Sequence, residues 1–275
     1  MRTIRALTCL GLVIGAVLAT APAAAAPKNS FRALTFNIHH GAGADGLVDL
    51  DRIARVVRST GADVVGLQEV DRHWSERSGF ADQATELARR LKMHLVYGAN
   101  LDLDPLTPGA PRRQYGTALL SRYRILDWDN TLLPKVAGHE QRGLLRARIV
   151  VGRVPVQVYT THLQHNDAAE RLLQAEAIRE LVGGWRGPAV LLGDLNATPE
   201  TPEMTTLTAL LPDAWAAAGT GAGHTYPSDL PTVRIDYVLA SPTVRVRTAR
   251  VHNDPAAVAA SDHLPVSAVL TVAGR

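Results

Sequence analysis

With 275 residues, 46% of them hydrophobic and 20% charged, the chain is long enough to bury one large core. A formal charge of only +3 gives little general attraction for a polyanion, so bulk electrostatics do not select nucleic acid as a partner. The single cysteine, Cys9, stands in the N-terminal leader, which excludes disulfides and thiolate metal sites from the rest of the chain.

Residues 1–5 are a short basic head, residues 6–18 an apolar run, and "ATAPAAAAP" supplies small residues after it. This order predicts a secretory signal peptide over residues 1–25, and hence a secreted protein. Cleavage is placed after Ala25 because Pro27 directly after a cut is disfavoured, and an uncleaved anchor is the alternative. The apolar run is shorter than the roughly 18 residues of a membrane-spanning helix, so no transmembrane segment is expected in the mature chain. Losing Arg2 and Arg5 takes Lys+Arg from 29 to 27 against 26 acids, a mature charge of +1.

From residue 30 onward, strand and helix patterns follow one another without a long linker. "FRALTFNIHH" alternates, with Phe31, Ala33, Thr35, Asn37 and His39 on one side and Arg32, Leu34, Phe36 and Ile38 on the other. "DLDRIARVVRS" repeats apolar residues at helical spacing and is ended by Gly61. "ADVVGLQEV" reads as a buried strand, and "DQATELARRL" as a second helix with Leu87, Ala88 and Leu91 on one stripe. "HLVYGAN" and "GTALLSRY" are strands around the Pro/Gly-rich loop "LDPLTPGAPRRQ". "GLLRARIVV" and "VPVQVYTTHL" form a hairpin through Gly152 and Arg153, and "NDAAERLLQAEAIRELVGG" is the clearest helix. "PAVLLGDLNATP" is a short strand ending in polar residues, and "RIDYVLAS", "VRVRTARVH" and "LPVSAVLTV" close the chain as strands. Many strands with interspersed helices, and no strict βαβ rhythm, predict an α/β protein of packed sheets flanked by helices.

Polar residues collect where the hydrophobic strands end: Asn37–His39, Gln68–Glu69, His162, Asp194–Asn196 and Asp262–His263, with Asp236 just inside "RIDYVL". Strand ends pointing one way make a common rim on a rigid scaffold. Taken singly, Asp194 and Asn196 fit a turn as well as a site, and His162 or Asp262–His263 fit a structural role. Glu69 resists that reading, because a carboxylate beside a buried strand requires a cation or strong donors. Together the clusters offer oxygen donors and imidazoles without thiols, which suits Mg²⁺ or Mn²⁺. The chain has no H-E-x-x-H, phosphate-cradling G-x-x-x-x-G-K-[ST] or G-x-S-x-G motif. Metal-assisted attack of water on phosphorus suits this inventory.

"TFNIHHG", "LQEVD", "QYGTALLS", "TTHL", "GDLNATP", "RIDYVL" and "SDHLPV" occur in the order found in the endonuclease/exonuclease/phosphatase superfamily, which includes deoxyribonucleases and neutral sphingomyelinases. The resemblance spans residues 31–272 and implies one domain over residues 30–273, folded as a four-layer α/β sandwich of two mixed sheets with helices outside. It implies Glu69 as principal Mg²⁺ ligand, with Asn37 and Asp262 completing or orienting the ion's shell and Mn²⁺ as the alternative ion. Asp194 is expected to align or deprotonate water, Asn196 to hold the water or the phosphate, and His263 to contact the phosphate with Asp236 keeping it cationic. His162 is expected to be a second phosphate donor or the leaving-group acid. Tyr115, Arg142 and His39 are expected to bind substrate, with a core role open for Tyr115 and a surface role for Arg142. Some relatives carry an acid where this chain has His39. The implied activity is secreted phosphodiester hydrolysis, leaning toward phospholipid or sphingolipid head groups because of the near-neutral mature charge and the "NIHHG…LQEVD" style. A secreted nuclease is the alternative, because Arg112 and Arg113 are placed to follow a DNA backbone, and a non-catalytic binding protein is the third reading.

Overall fold

The structure, a computed structural model, describes residues 29–273; the expected signal peptide over residues 1–25 lies outside the described residues. The described residues open with a βαβ unit: β1 (Ser30–Asn37), α1 (Leu50–Thr60) and β2 (Val64–Arg72), in which β1 and β2 pair in parallel. Asp49 caps α1 by accepting from Arg52 N, and Gly61 ends it at φ 67°, a left-handed conformation that costs a residue without Cβ little. After α2 (Gln83–Leu91), strands β3 (His94–Leu103) and β4 (Arg113–Ser121) pair antiparallel across the Pro/Gly-rich loop.

The second half repeats the scheme. Strands β5 (Asp127–Leu132), β6 (Gly143–Val151) and β7 (Val154–His162) run antiparallel, and α3 (Ala168–Gly183) carries the chain to β8 (Ala189–Asp194), parallel to β7. Short helices α4 (Pro202–Thr208) and α5 (Ala214–Ala218) precede β9 (Asp236–Ala240), and β10 (Val244–Val251), α6 (Pro255–Val258) and β11 (Val266–Val272) return to the first sheet. The result is a six-stranded sheet in the order β10-β11-β1-β2-β4-β3 and a five-stranded sheet in the order β5-β6-β7-β8-β9.

Three apolar clusters show how the layers stack. Phe31, Ala33, Val64, Val158, Val190, Leu192, Val238, Ala268 and Leu270 fill the space between the two sheets. Leu34 and Phe36, the opposite face of β1, and Ile38 directly after it pack with Ile53, Val57, Leu87 and Leu91 of α1 and α2. Leu191 and Tyr159 pack likewise with Ile178 of α3 and Leu207 of α4. Helices therefore cover both outer faces, which is the expected four-layer α/β sandwich of two mixed sheets.

Strand β5 and helices α4 to α6 are not called from sequence. β5 lies at a sheet edge and alternates polar residues, with Asp127 and Asp129 held by Arg146 and Arg148 of β6. An edge strand with charged side chains reads as loop because it has no second neighbour to bury.

His252 shows the pH cost of burial in this fold. It is 7% exposed, its Nε2 is 2.8 Å from Ser267 Oγ, and burial pushes its pKa down to about 4, with Arg250 adding to the shift. The unfolded imidazole titrates near 6.5, so the folded state is fully stable above that pH and loses stability as pH falls toward 4. Urea denaturation at pH 7 and pH 4.5 is expected to show His252→Gln losing about 2 kcal/mol less than the parent, allowing for solvent screening.

Candidate active site

The inward faces of the strands run out into polar groups at one end of the sandwich. Alternation puts Asn37 on the same side of β1 as Phe31 and Ala33, His162 with Val156 and Val158 on β7, and Asp194 with Val190 and Leu192 on β8. His162 and Asp194 are register partners across the parallel β7–β8 pair, and Asp194 and Asp236 are partners across β8–β9. Gly66 permits the sheets to approach here, since a Cβ at that position would lie 2.8 Å from Thr160 Oγ1 of the opposite sheet. One step further, Gln68 bridges the layers, its Nε2 donating to Thr160 Oγ1 at 2.9 Å and its Oε1 accepting from Thr35 Oγ1 at 3.3 Å.

Strict alternation would turn Glu69 away from this space, toward the helices. A β-bulge between Leu67 and Val70 interrupts the β2–β4 register, and Glu69 stands at φ 58°. The extra residue re-aims the side chain. Its carboxylate lines the same cleft as Asp194 and His263, accepting at Oε1 from Asn37 Nδ2 at 3.0 Å.

Asp194 lies at the centre. It is 1% exposed, and its Oδ2 accepts from Asn37 Nδ2 at 3.0 Å while facing His162 Nε2 at 3.3 Å and His263 Nε2 at 3.6 Å. Its Oδ1 accepts from Asn196 N at 3.0 Å, so the turn reading of "DLN" holds alongside the clustering. Asn196 adopts φ 49° and donates from Nδ2 to Leu163 O at 3.0 Å, joining β7 to the loop after β8. Burial pushes Asp194 up to about 7; Asp236 adds to the rise, while His263, Asn37 and Asn196 oppose it.

"SDH" is the junction that closes the site. Ser261 Oγ donates to Asn37 O at 2.8 Å and accepts from His263 N at 3.3 Å, fixing the loop to the end of β1. From there Asp262 and His263 diverge. Asp262 Oδ1 is 3.8 Å from His39 Nδ1, whereas His263 Nδ1 donates to Asp236 Oδ2 at 2.9 Å and its ring stands 4.8 Å from that of Tyr226. Asp236 Oδ1 is buried without a hydrogen-bond partner among the described residues, so the charge of Asp236 is met mainly by His263. Burial opposes a charge on His263, but Asp236 and Asp194 outweigh it, and the pKa is pushed up to about 10. His162 also faces a carboxylate, Asp194 Oδ2 at 3.3 Å, yet burial, with Arg142 and His263 adding, holds its pKa well below the ordinary value.

The cleft, about 360 Å³, is lined by Glu69, Asp194, Asn196, Asp262 and His263 together with Glu140, Arg142, His162 and His165. Arg142 is 3% exposed rather than a solvated surface residue, and its Nη1 pairs with Glu140 Oε1 at 2.7 Å. Asn37 and Asp236 stand behind the wall and hold Glu69, Asp194 and His263 in place. Tyr115 does not line the cleft; it is buried beside Trp74, ring centroids 5.7 Å apart, with the Arg77 guanidinium 5.4 Å from its centroid. Sequence reasoning did not find His40, Glu140, His165 or Tyr226. The second histidine of "NIHH" and the "EQR" before β6 were signals available for two of them.

Glu69 is the natural cation site in this arrangement. It is half-buried, receives the Asn37 amide at Oε1 and makes no ion pair among the described residues. With Asp262 on the same cleft and Asn37 between Glu69 and Asp194, the donor set is oxygen-rich and fits a hard divalent ion. The contact between Asp236 and His263 makes a direct prediction. Asp236→Asn removes the carboxylate that holds the imidazolium, so the His263 pKa should fall by about 1–2 units. NMR titration of the ring is expected to show that fall. The pH up to which His263 stays cationic is expected to move down by the same amount.

Comparison with known proteins agrees with this geometry. The profile of the "Endonuclease/Exonuclease/phosphatase family" matches residues 34–263. An endonuclease/exonuclease/phosphatase from Beutenbergia cavernae has a similar structure, with TM-score 0.78 and 28% identity over 90% of this chain and 72% of that one. A mannosyl-6-phosphatase from Bacteroides thetaiotaomicron shares the fold at TM-score 0.70 and 18% identity, covering 88% of this chain and 99% of its own. Protein cwh43 of Schizosaccharomyces pombe is 29% identical over 165 residues, 59% of this chain, and the match spans only 16% of cwh43. The chain belongs to the endonuclease/exonuclease/phosphatase family, hydrolases that act on phosphoester bonds.

Proposed function

We propose that the protein is a secreted, Mg²⁺-dependent phosphodiesterase in which water attacks phosphorus directly, with Mn²⁺ as the alternative ion. The observation that carries this reading is the position of Asp194. One buried carboxylate contacts Asn37, His162 and His263, and Asn37 also holds Glu69. Glu69 and Asp262 would hold the ion, with Asn37 orienting Glu69. When bound, the ion polarises a phosphoryl oxygen and stabilises charge on the leaving oxygen.

The chain's own residues do the rest. Asp194, with a pKa near neutrality, orients the attacking water and takes its proton. Asn196 holds the water or a phosphate oxygen, and Arg142, which lines the same cleft, donates to the phosphate. His263, cationic through Asp236, donates to a phosphoryl oxygen as negative charge builds there. His162, held below its ordinary pKa by burial with Arg142 adding, is placed as a second hydrogen-bond donor to the phosphate or as the leaving-group acid. His39 orients Asp262 or contacts substrate at that edge, and Tyr115 supports the wall from behind.

A small or lipid-linked phosphodiester, such as a phospholipid or sphingolipid head group, fits this cleft better than a long polyanion. Most guanidiniums of the cleft and the neighbouring loop are already matched: Arg142 by Glu140, Arg77 by Asp71, and Arg112 by Asp102 and Asp104, while Arg113 donates to the Asp104 carbonyl. No unbroken basic track remains along these residues for a nucleic-acid backbone. The deciding experiment sets turnover of phosphatidylinositol and sphingomyelin vesicles beside duplex and single-stranded DNA and mannose 6-phosphate. Preferential release of a phosphorylated head group supports the reading. Release of nucleotides as the fastest reaction would move the assignment to a nuclease, and phosphate from the monoester to a phosphatase.

A further inference from the structure

His39 and His40 have no ligand role in the reading above, yet they form a donor set of their own with Glu69. One ligand atom from each of the three lies within 4.8 Å of the other two. The imidazole rings meet edge to face, centroids 4.5 Å apart and planes at 71°. His39 and His40 both occupy left-handed backbone, at φ 44° and 45°, where a residue carrying Cβ is rarely found. The surroundings impose this conformation. His39 N donates to Asn37 Oδ1 at 3.0 Å, Gly41 N to Ile38 O at 2.7 Å, and Gln83 Nε2 to His40 O at 2.6 Å. The turn thus swings two adjacent rings to the side on which the β2 bulge presents Glu69.

Hydrogen bonding leaves a gap at the same place. His40 Nδ1 is buried without a partner among the described residues, although buried ring nitrogens ordinarily find one. Two imidazoles and one carboxylate make up the ligand set of catalytic zinc centres that keep a position open. Imidazole suits zinc and its first-row neighbours, whereas Mg²⁺ prefers oxygen and water.

We propose that His39, His40 and Glu69 form a site for a borderline transition ion of the Zn²⁺ or Co²⁺ class, at the corner of the cleft where Mg²⁺ is poorly served. The site rests on the reading of Glu69 as a metal ligand and adds a nitrogen-rich side to it. Ions of this class would therefore share Glu69 with Mg²⁺ but draw their remaining protein ligands from the two imidazoles, rather than substitute in an all-oxygen shell.

The test uses the full chain, stripped of metal, titrated with Co²⁺ alone and followed by its visible absorption. Nitrogen-ligated Co²⁺ with few ligands absorbs far more strongly than the six-coordinate ion in oxygen ligands. Strong, saturable absorption that survives a large excess of Mg²⁺ is expected. His39→Asn and His40→Asn should each weaken Co²⁺ binding by about tenfold or more, while His252→Gln, remote from the site, leaves it unchanged. Asn is chosen because it tolerates left-handed backbone. Weak six-coordinate absorption, ready displacement by Mg²⁺, or unaltered binding in both histidine variants would overturn the site. Mg²⁺-supported hydrolysis by the parent, read on the same samples, separates this failure from failure of the proposed function.

Discussion

Glu69→Gln is expected to lower kcat/KM for a phosphodiester by about 10³-fold, with folding stability changed by less than about 1 kcal/mol. The substitution keeps the shape of the side chain and an oxygen that can still accept from Asn37 Nδ2. It removes a carboxylate that no cation neutralises among the described residues. A group of that kind weakens the fold slightly through its unpaired charge, so losing the charge leaves stability nearly untouched. Activity suffers because the ion's charge at the phosphoryl oxygen is worth several kcal/mol in the transition state. Steady-state kinetics across a Mg²⁺ series, with urea denaturation in parallel, make the check. A parent-like Mg²⁺ dependence in the variant would remove Glu69 from the metal site.

Asp194→Asn should be at least as costly to turnover, about 10³-fold or more, while stabilising the fold at alkaline pH. The Asp194 carboxyl is pushed from an ordinary 3.8 up to about 7 by burial, with Asp236 adding to it. A raised acid pKa means that the folded state binds the proton more tightly than the unfolded chain. Ionising Asp194 therefore costs stability as pH rises from 3.8 through 7. The amide cannot ionise, so the variant escapes that cost. With the lowering effect of His263, 3.6 Å away, already contained in that value, the expected gain is about 1–2 kcal/mol at pH 8 relative to pH 5. Urea denaturation of both proteins at the two pH values measures it. A variant that gains nothing on the parent between pH 5 and pH 8 would show that the buried charge is well matched and that Asp194 is not held near neutrality by burial.

Much of this arrangement is legible in the sequence, for a physical reason. A strand buried on both faces spells out a hydrophobic run, and a polar residue at its end stands out; Asn37, His162, Asp194 and Asp236 all emerge this way. Period-2 alternation also indicates which of them share a face. Glu69 is the instructive exception. Alternation alone sends it to the wrong side, and the bulge that brings it back depends on β4 pairing across the gap, which no local pattern contains. The partners of Arg142 were hidden for a similar reason, since Glu140 and the burial of the guanidinium follow from tertiary packing of the segment before β6. Tyr115 follows a Pro/Gly-rich loop and looked like a candidate for the rim, but Trp74 and Arg77, residues from the segment after β2, enclose it. Strand β5 was missed because an edge strand with charged faces looks like loop until its partner is known.

In the proposed mechanism a divalent ion gathers the acidic and imidazole groups around a single phosphoester. The most direct measurement is hydrolysis of bis-p-nitrophenyl phosphate with Mg²⁺, after EDTA, and after Mg²⁺ is restored. Turnover that disappears with the chelator and returns with the ion is the predicted result. Absence of turnover with every divalent ion supplied, or turnover indifferent to EDTA, would contradict it.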